Sequence, residues 1–284
     1  TLHISMVTFV NCLCAGIDLK MWSEPAQPHV LALDMALDSV DDMYNGCEKE
    51  MEAKVRKEYL PLEKNIIQNN FPAAWSVAEN YYNKIWKKRG KKRPSTSLSK
   101  EQIMSIYMYS LEVPNVYIDF NNAVRTQGPV YKNSFKYHAL HYFLTTAIQK
   151  LNARRVGAER CVTVYRRVNA YFTQDCLNKL VRFGSFTSAS LGSYPNPARF
   201  GDKSCFEITT CFGADVSLFS KVGEAEREVL APPYEVFKVT QIRKRSENSD
   251  LPCEFVYTLN RESRNQSKYN TECADNEGTP LQHD

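Results

Sequence analysis

The 284-residue chain carries 36 Lys and Arg against 32 Asp and Glu, a net charge of +4, and 43% of its residues are apolar. That is enough apolar material for one large domain or two small ones. The mild positive charge falls far short of the basic density of a dedicated nucleic-acid binder.

The first element is the apolar run "ISMVTFVNCLCA" from Ile4 to Ala15, closed by Gly16. It is too short to span a bilayer and reads as the h-region of a secretory signal peptide with small residues at a cleavage point. Residues 1–16 are therefore expected to be a signal-peptide remnant and 17–284 a single domain, the alternative being a buried N-terminal helix. Nine cysteines fit an oxidising compartment. Without Cys12 and Cys14, seven remain: Cys47, Cys161, Cys176, Cys205, Cys211, Cys253 and Cys273. No Cys-x-x-Cys pair occurs among them, so disulfides rather than a metal site account for them. An odd number leaves one thiol free or paired outside the chain.

From about Asp41 to Leu151 the periodicity is helical. Pro72 stands near a helix start, followed by Trp75, Ala78, Tyr82 and Ile85 at spacings of three and four, which predicts one buried face. The basic run "KKRGKKRP" from Lys87 to Pro94 reads as a solvated loop. Ser99 and Gln102 form a capping box before the apolar run Ile103 to Leu111. "FKYHALHYFLTTAIQKL" repeats the helical period until Asn152 and carries His138 and His141 with no cysteine near them in sequence.

After Arg160 the chain turns to short β-rich runs: "CVTVY", "CFEITTC", "YEVFKVTQI" and "CEFVYTL". No helices of the length that parallel crossovers need lie between them. The expected fold class is α+β, a helical region at about 30–152 packed on a mainly antiparallel β core at about 155–275. "GSYPNPARFGD" reads as a loop, and Asn265-Gln266-Ser267 is a glycosylation sequon that would suit a secreted protein. No repeat, Rossmann fingerprint or P-loop is present.

Three pieces of the β half carry chemistry: "VYRR", a strand ending on Arg166; "VRFGSFTSASL", a strand reaching Ser188; and Glu226-Arg227-Glu228. In a strand, Glu-x-Glu puts two carboxylates on one face, where they repel unless something uses them. Taken alone the pair reads as surface charge, since Glu48/Glu50, Glu50/Glu52 and Glu224/Glu226 repeat it. In this order, however, the three pieces resemble the R-S-E signature of the mono-ADP-ribosyltransferases, and most closely the vertebrate ecto-type, arginine-specific members. The resemblance runs from Leu33 to Cys273 through "LDMALDSVDDMYNGC", "VYIDFNNAVR", "TTCFGADVSLFS" and "EVLAPPYEVF".

The resemblance implies transfer of ADP-ribose from NAD to arginine side chains of proteins or small guanidino compounds, with release of nicotinamide. Cysteine spacing, modest charge and the lack of a long apolar run give the expectation of no metal, no nucleic-acid partner and no transmembrane segment, and the signal-like start and cysteines that of a secreted or extracellular setting. Carried onto this chain, the catalytic set is Arg166, Ser188, Glu226 and Glu228, and the NAD-binding set Arg166, Arg167, Ser188 and Glu228. Arg166 would meet the pyrophosphate, and Ser188 would orient Glu228 against the ribose. Glu226 would hold the acceptor guanidinium, where planar bidentate pairing favours arginine. Many family members have glycine where this chain has Arg167, so the Arg167 backbone would face nicotinamide with its side chain pointing away. Disulfides Cys47–Cys273 and Cys161–Cys211 are implied likewise, and "SKVGEA" before Glu226 would be the loop that touches the acceptor. The alternatives are an NAD glycohydrolase using water, a non-catalytic disulfide-stapled interaction module, and a basic protein acting through Lys87–Arg93.

Overall fold

The computed structural model describes residues 30–88, 97–155, 157–221 and 227–262. The signal-like N-terminus, most of the basic run, Glu226, the sequon at Asn265 and Cys273 lie outside the described residues.

After a two-residue strand β1 (Val30–Leu31), helix α1 (Glu48–Lys54) passes through a π-helical turn into α2 (Leu60–Glu63). Helix α3 (Phe71–Tyr81) opens with Pro72 in its first turn and ends in a second π-helical turn, Tyr82–Trp86. That turn changes the expected buried face. A π turn takes one residue more than an α turn, so the apolar stripe steps on by one. Ile85 is consequently 51% exposed, and Trp86 is fully buried in its place. Helix α4 (Lys100–Tyr109) begins at the capping box: Gln102 N donates to Ser99 Oγ, and Ser99 N donates to Gln102 Oε1. Helices α5 (Tyr117–Thr126), α6 (Tyr131–Ser134) and the largely buried α7 (His138–Asn152) complete the helical part.

The β part runs β2 (Val162–Val168), β3 (Tyr171–Phe172), β4 (Leu180–Val181), β5 (Thr187–Leu191), the short α8 (Pro197–Phe200), β6 (Ser204–Thr210), β7 (Ala214–Asp215), β8 (Glu228–Ala231), β9 (Phe237–Lys244) and β10 (Phe255–Arg261). Eight strands form one sheet in the order β4-β9-β10-β6-β2-β5-β8-β7, and β1 pairs with β3. Every neighbouring pair in the large sheet is antiparallel except β10–β6. This is the expected α+β architecture.

Two local expectations are corrected. The stretch "VRFGSFTSASL" is two strands at different places in the sheet, because Gly184 takes a left-handed turn (φ 67) between β4 and β5. A Cβ at Gly184 would lie 2.5 Å from that of Ala36, so close packing also requires glycine there. The loop "GSYPNPARFGD" contains α8, started by Asn196, whose Oδ1 accepts from Ala198 N.

The sheet is buried on both faces where the site lies. Trp75, Met104, Phe120 and Phe143 from the helices share one core cluster with Phe186, Phe219 and Leu230 from the β part. Val164, Ala189, Phe206, Val229, Val239 and Leu259 form a second. Strand β8 is therefore buried at every position, alternate side chains entering different cores. Asn152, the last residue of α7, ties the two parts together by donating from Nδ2 to Cys211 O (2.9 Å) and Gly213 O (2.8 Å).

The Cys161–Cys211 disulfide is present, and a second, Cys205–Cys253, joins β6 to the approach to β10. Cys47 is also disulfide-bonded. Among the described residues Cys176 is the free cysteine, buried, with Sγ donating to Thr173 O.

Two of the buried ionisable sites bear on stability. Arg182 pairs with Asp41, both side chains essentially inaccessible, while Nε and Nη2 donate to Met35 O and Ala36 O. Replacing Arg182 with Met should cost about 3–5 kcal/mol, since Asp41 is left as an uncompensated buried charge. Denaturant unfolding measures that loss, and Asp41→Asn in the same background should recover part of it.

The second is Glu63, which accepts from Ala139 N (2.8 Å) at the start of α7. Desolvation outweighs these backbone donors and raises its pKa to about 8. The folded chain thus holds this proton more tightly than the unfolded one. The resulting stabilisation is complete below about pH 4.5 and is lost as pH rises through about 8. Buried His138 and His141 act oppositely: burial lowers them to about 4 and about 3, so they cost stability as pH falls below about 6.5. Comparison with Glu63→Gln isolates the carboxyl. The unfolding free energy of the native chain relative to that variant should fall by on the order of a few kcal/mol between pH 5 and pH 8.

Candidate active site

The site forms where two neighbouring strands part. β2 and β5 pair only at Val164↔Leu191 and Tyr165↔Ser190, whereas β5 and β8 pair over four positions from Thr187↔Ala231 to Ser190↔Glu228. Arg166 is the next residue of β2 beyond the last shared pair. Its Nη1 spans the parting and donates to Ser188 O at 2.7 Å. Burial lowers the guanidinium's pKa, while Tyr109, Tyr117 and Glu228 pull it back up. An arginine remains charged under such opposed influences.

On the β5–β8 pair, Ser188 stands opposite Leu230 and Ser190 opposite Glu228. Since Leu230 enters the helical core and Val229 the other one, strand alternation turns Ser188 and Glu228 toward the helices. Glu228 is 7% exposed. Its carboxylate accepts from Ser188 Oγ at Oε1 (2.6 Å) and from Ser220 Oγ at Oε2 (2.9 Å). Its carbonyl accepts from Val216 N (2.9 Å), which fixes the strand start to the turn after β7.

Tyr109, at the end of α4, comes within electrostatic range of both charged groups. Its hydroxyl donates to Phe186 O (3.0 Å) and accepts from Asn121 Nδ2 (2.9 Å). Burial, reinforced by the charge on Glu228, pushes its pKa up to about 12, so it stays a neutral phenol. Lys221 N donates to Ser110 Oγ (2.7 Å), tying the segment after Ser220 to the end of the same helix.

Of the expected residues, Arg166, Ser188 and Glu228 are brought together, and Glu226 lies outside the described residues. Strand β8 starts at Glu228, and Arg227 before it has left-handed backbone (φ 42), which interrupts the alternation assumed between the two glutamates. Leu191 N donates to Arg227 O (3.1 Å) and holds that conformation. The Arg167 side chain is buried. Its Nη1 donates to Pro252 O (2.9 Å) and Gly201 O (3.3 Å), and the guanidinium lies over the Tyr194 ring. Tyr109 was not anticipated, nor was the bond from Ser220, the first residue of the expected acceptor loop, to Glu228. Tyr109 reads as core within an apolar helical run, and no spacing marks Ser220. Among the described residues no group of three or more His, Cys, Asp or Glu is placed to hold a metal ion.

The family model described as ART, NAD:arginine ADP-ribosyltransferase, matches residues 33–254. Ecto-ADP-ribosyltransferase 5 of Homo sapiens is 35% identical over 237 residues, 80% of this chain and 77% of that protein. NAD(P)(+)–arginine ADP-ribosyltransferase 1 of Gallus gallus is 36% identical over 211 residues, 73% of this chain and 64% of that protein. Among solved structures, the eucaryotic mono-ADP-ribosyltransferase ART2.2 matches with a TM-score of 0.65 at 29% identity, covering 84% of this chain and 97% of that one. A mutant of ART2.2 solved in complex with NAD matches with a TM-score of 0.64. The chain belongs to the NAD:arginine ADP-ribosyltransferase family.

Because the Arg167 side chain bonds two carbonyls away from the Arg166–Glu228 group, its removal should register in stability and not in NAD use. Arg167→Ala is expected to lose about 1–3 kcal/mol through unpaired carbonyls. Its KM for NAD should stay within about twofold, which steady-state kinetics and thermal unfolding test together.

Proposed function

We propose that Arg166, Ser188, Glu226 and Glu228 carry the transfer of ADP-ribose from NAD to an arginine side chain. The observation that supports this reading is the placing of one buried carboxylate, Glu228, with Ser188 and Arg166 at the parting of β2 and β5. In the reaction the ribose–nicotinamide bond breaks and its electron pair stays on nicotinamide, which leaves neutral. The ribose carbon becomes oxocarbenium-like, as in glycoside cleavage. A preorganised carboxylate favours that developing positive charge more than it favours ground-state ribose, which is the condition for acceleration. Ser188 keeps the Glu228 carboxylate from turning away. Arg166 offers the donors that its bond to Ser188 O leaves over to the pyrophosphate, a match of planar fork to anion. A guanidinium nitrogen of the acceptor then attacks the ribose carbon and loses its proton to Glu226.

The helical and β parts act here as a single domain, with the Arg167 backbone at the edge of the nicotinamide site. Arginine-bearing proteins outside the cell are the acceptors. The named relatives include ecto-enzymes, and among the described residues no helix is long and apolar enough to cross a membrane.

Nicotinamide release from NAD, with and without the arginine analogue agmatine, tests the assignment. Glu228→Gln should lower turnover by roughly a thousandfold or more, the scale of losing a principal electrostatic group. Glu226→Gln should lose agmatine modification while retaining NAD hydrolysis. A folded native chain that neither binds nor cleaves NAD would overturn the proposal and leave the interaction-module reading.

A further inference from the structure

The Glu228 carboxylate is gripped from two sides, and the second grip comes from a residue outside the recognised signature. Ser188 Oγ reaches Oε1 from β5, while Ser220 Oγ reaches Oε2 from the turn that follows β7. Ser220 is itself buried, at 6% exposure. The turn is closed by Phe219 N and Ser220 N, both donating to Val216 O. Phe219 packs against Trp86 in the helical core with ring centroids 5.1 Å apart, and Lys221 N is held by Ser110 Oγ at the end of α4. The Ser220 hydroxyl is thus fixed from the helical side and Ser188 from the sheet.

We infer that Ser220 is a positioning residue for the transfer reaction, locking the plane of the Glu228 carboxylate so that it meets the ribose in one orientation. The inference rests on the reading of Glu228 as the group that faces the ribose. The terminal torsion of a glutamate is broad and roughly two-fold, so one hydrogen bond to one oxygen leaves the carboxylate free to rock. A second donor on the other oxygen removes that freedom. Each carboxylate oxygen has two lone pairs, so one serine hydroxyl does not by itself saturate the oxygen it meets. A serine in a turn also has a local option, bonding a carbonyl three or four residues back. Here its hydroxyl points across the site instead. Misplacing a catalytic group by a fraction of an ångström is felt in the chemical step rather than in binding.

The test is steady-state kinetics of agmatine modification by the full chain, comparing Ser220→Ala, Ser220→Thr and Glu228→Gln. Ser220→Ala should lower kcat by roughly ten- to a hundredfold, the range for losing one hydrogen bond to a charged group. KM for NAD should stay within about threefold. Ser220→Thr, which keeps the hydroxyl, should recover most of the lost kcat. An unchanged kcat in Ser220→Ala overturns the inference. So does a threonine variant no better than alanine, a fall in kcat matched by an equal rise in KM, or loss of cooperative unfolding in the alanine variant. The two readings fail separately. If Glu228→Gln retains turnover, the site assignment falls; if Glu228→Gln is dead while Ser220→Ala is fully active, only the role of Ser220 falls.

Discussion

The seam between β2 and β5 closes over two residue pairs and then opens, and the arrangement of the site depends on that early parting. Where strands part, the carbonyls that a ladder would have used must find other donors. Ser188 O finds one in the Arg166 guanidinium, and that bond sets a permanent cation in the gap. A cation there makes it tolerable for a second charge, Glu228, to be buried one strand further along. Had the ladder continued, a backbone N–H would have satisfied Ser188 O and Arg166 would have had no anchor across the opening. The defect in the sheet and the charge pair are one feature seen from two sides.

The helices hold that opening in place from outside. Asn152 bonds the chain on both sides of Phe212, bracing the turn between β6 and β7. Buried Glu235 supports the same turn, accepting from Cys211 N, Phe212 N and Thr210 Oγ1. Helix α4 brings Tyr109 under β5 and Ser110 to the foot of the segment that leads toward Glu226. All of these except the Thr210 hydroxyl bond are hydrogen bonds to backbone, of the kind worth about 0.5–1.5 kcal/mol net. Their value lies in direction: they converge on the turns and strand ends that carry Ser188, Ser220 and Glu228.

Much of this was readable in the chain. Periodicity placed α3, α4 and α7, and the capping box at Ser99 marked the start of α4. The ordered trio of Arg166, Ser188 and Glu228 was legible through its resemblance to the family signature, since alternation alone left the glutamates reading as surface charge. What could not be read depends on events that periodicity does not encode. The π-helical turn at Tyr82–Trp86 exchanged Ile85 for Trp86 in the core, and a single glycine at Gly184 separated β4 from β5. The bond from Ser220 to Glu228 was invisible because the partners stand eight residues apart around a turn, where neither a period of two nor one of 3.6 applies. The Cys205–Cys253 bridge was likewise hidden, since it follows from a parallel neighbour relation between β6 and β10 that local sequence does not specify.

That neighbour relation has a consequence for how the molecule is made. Strand β10, among the last described residues, is inserted between β9 and β6 and is the only link in the sheet joining β4–β9 to the remaining strands among the described residues. Arg166, Ser188, Ser220 and Glu228 all precede it in the chain. A polypeptide emerging from the ribosome therefore holds these groups before the sheet around them is continuous, and completion waits on β10. A chain stopped short of Phe255 would leave β4–β9 unjoined to the piece, β6-β2-β5-β8-β7, that carries all four of these groups. The order of strands makes β10 the piece that closes the sheet around a site whose own strands already lie together.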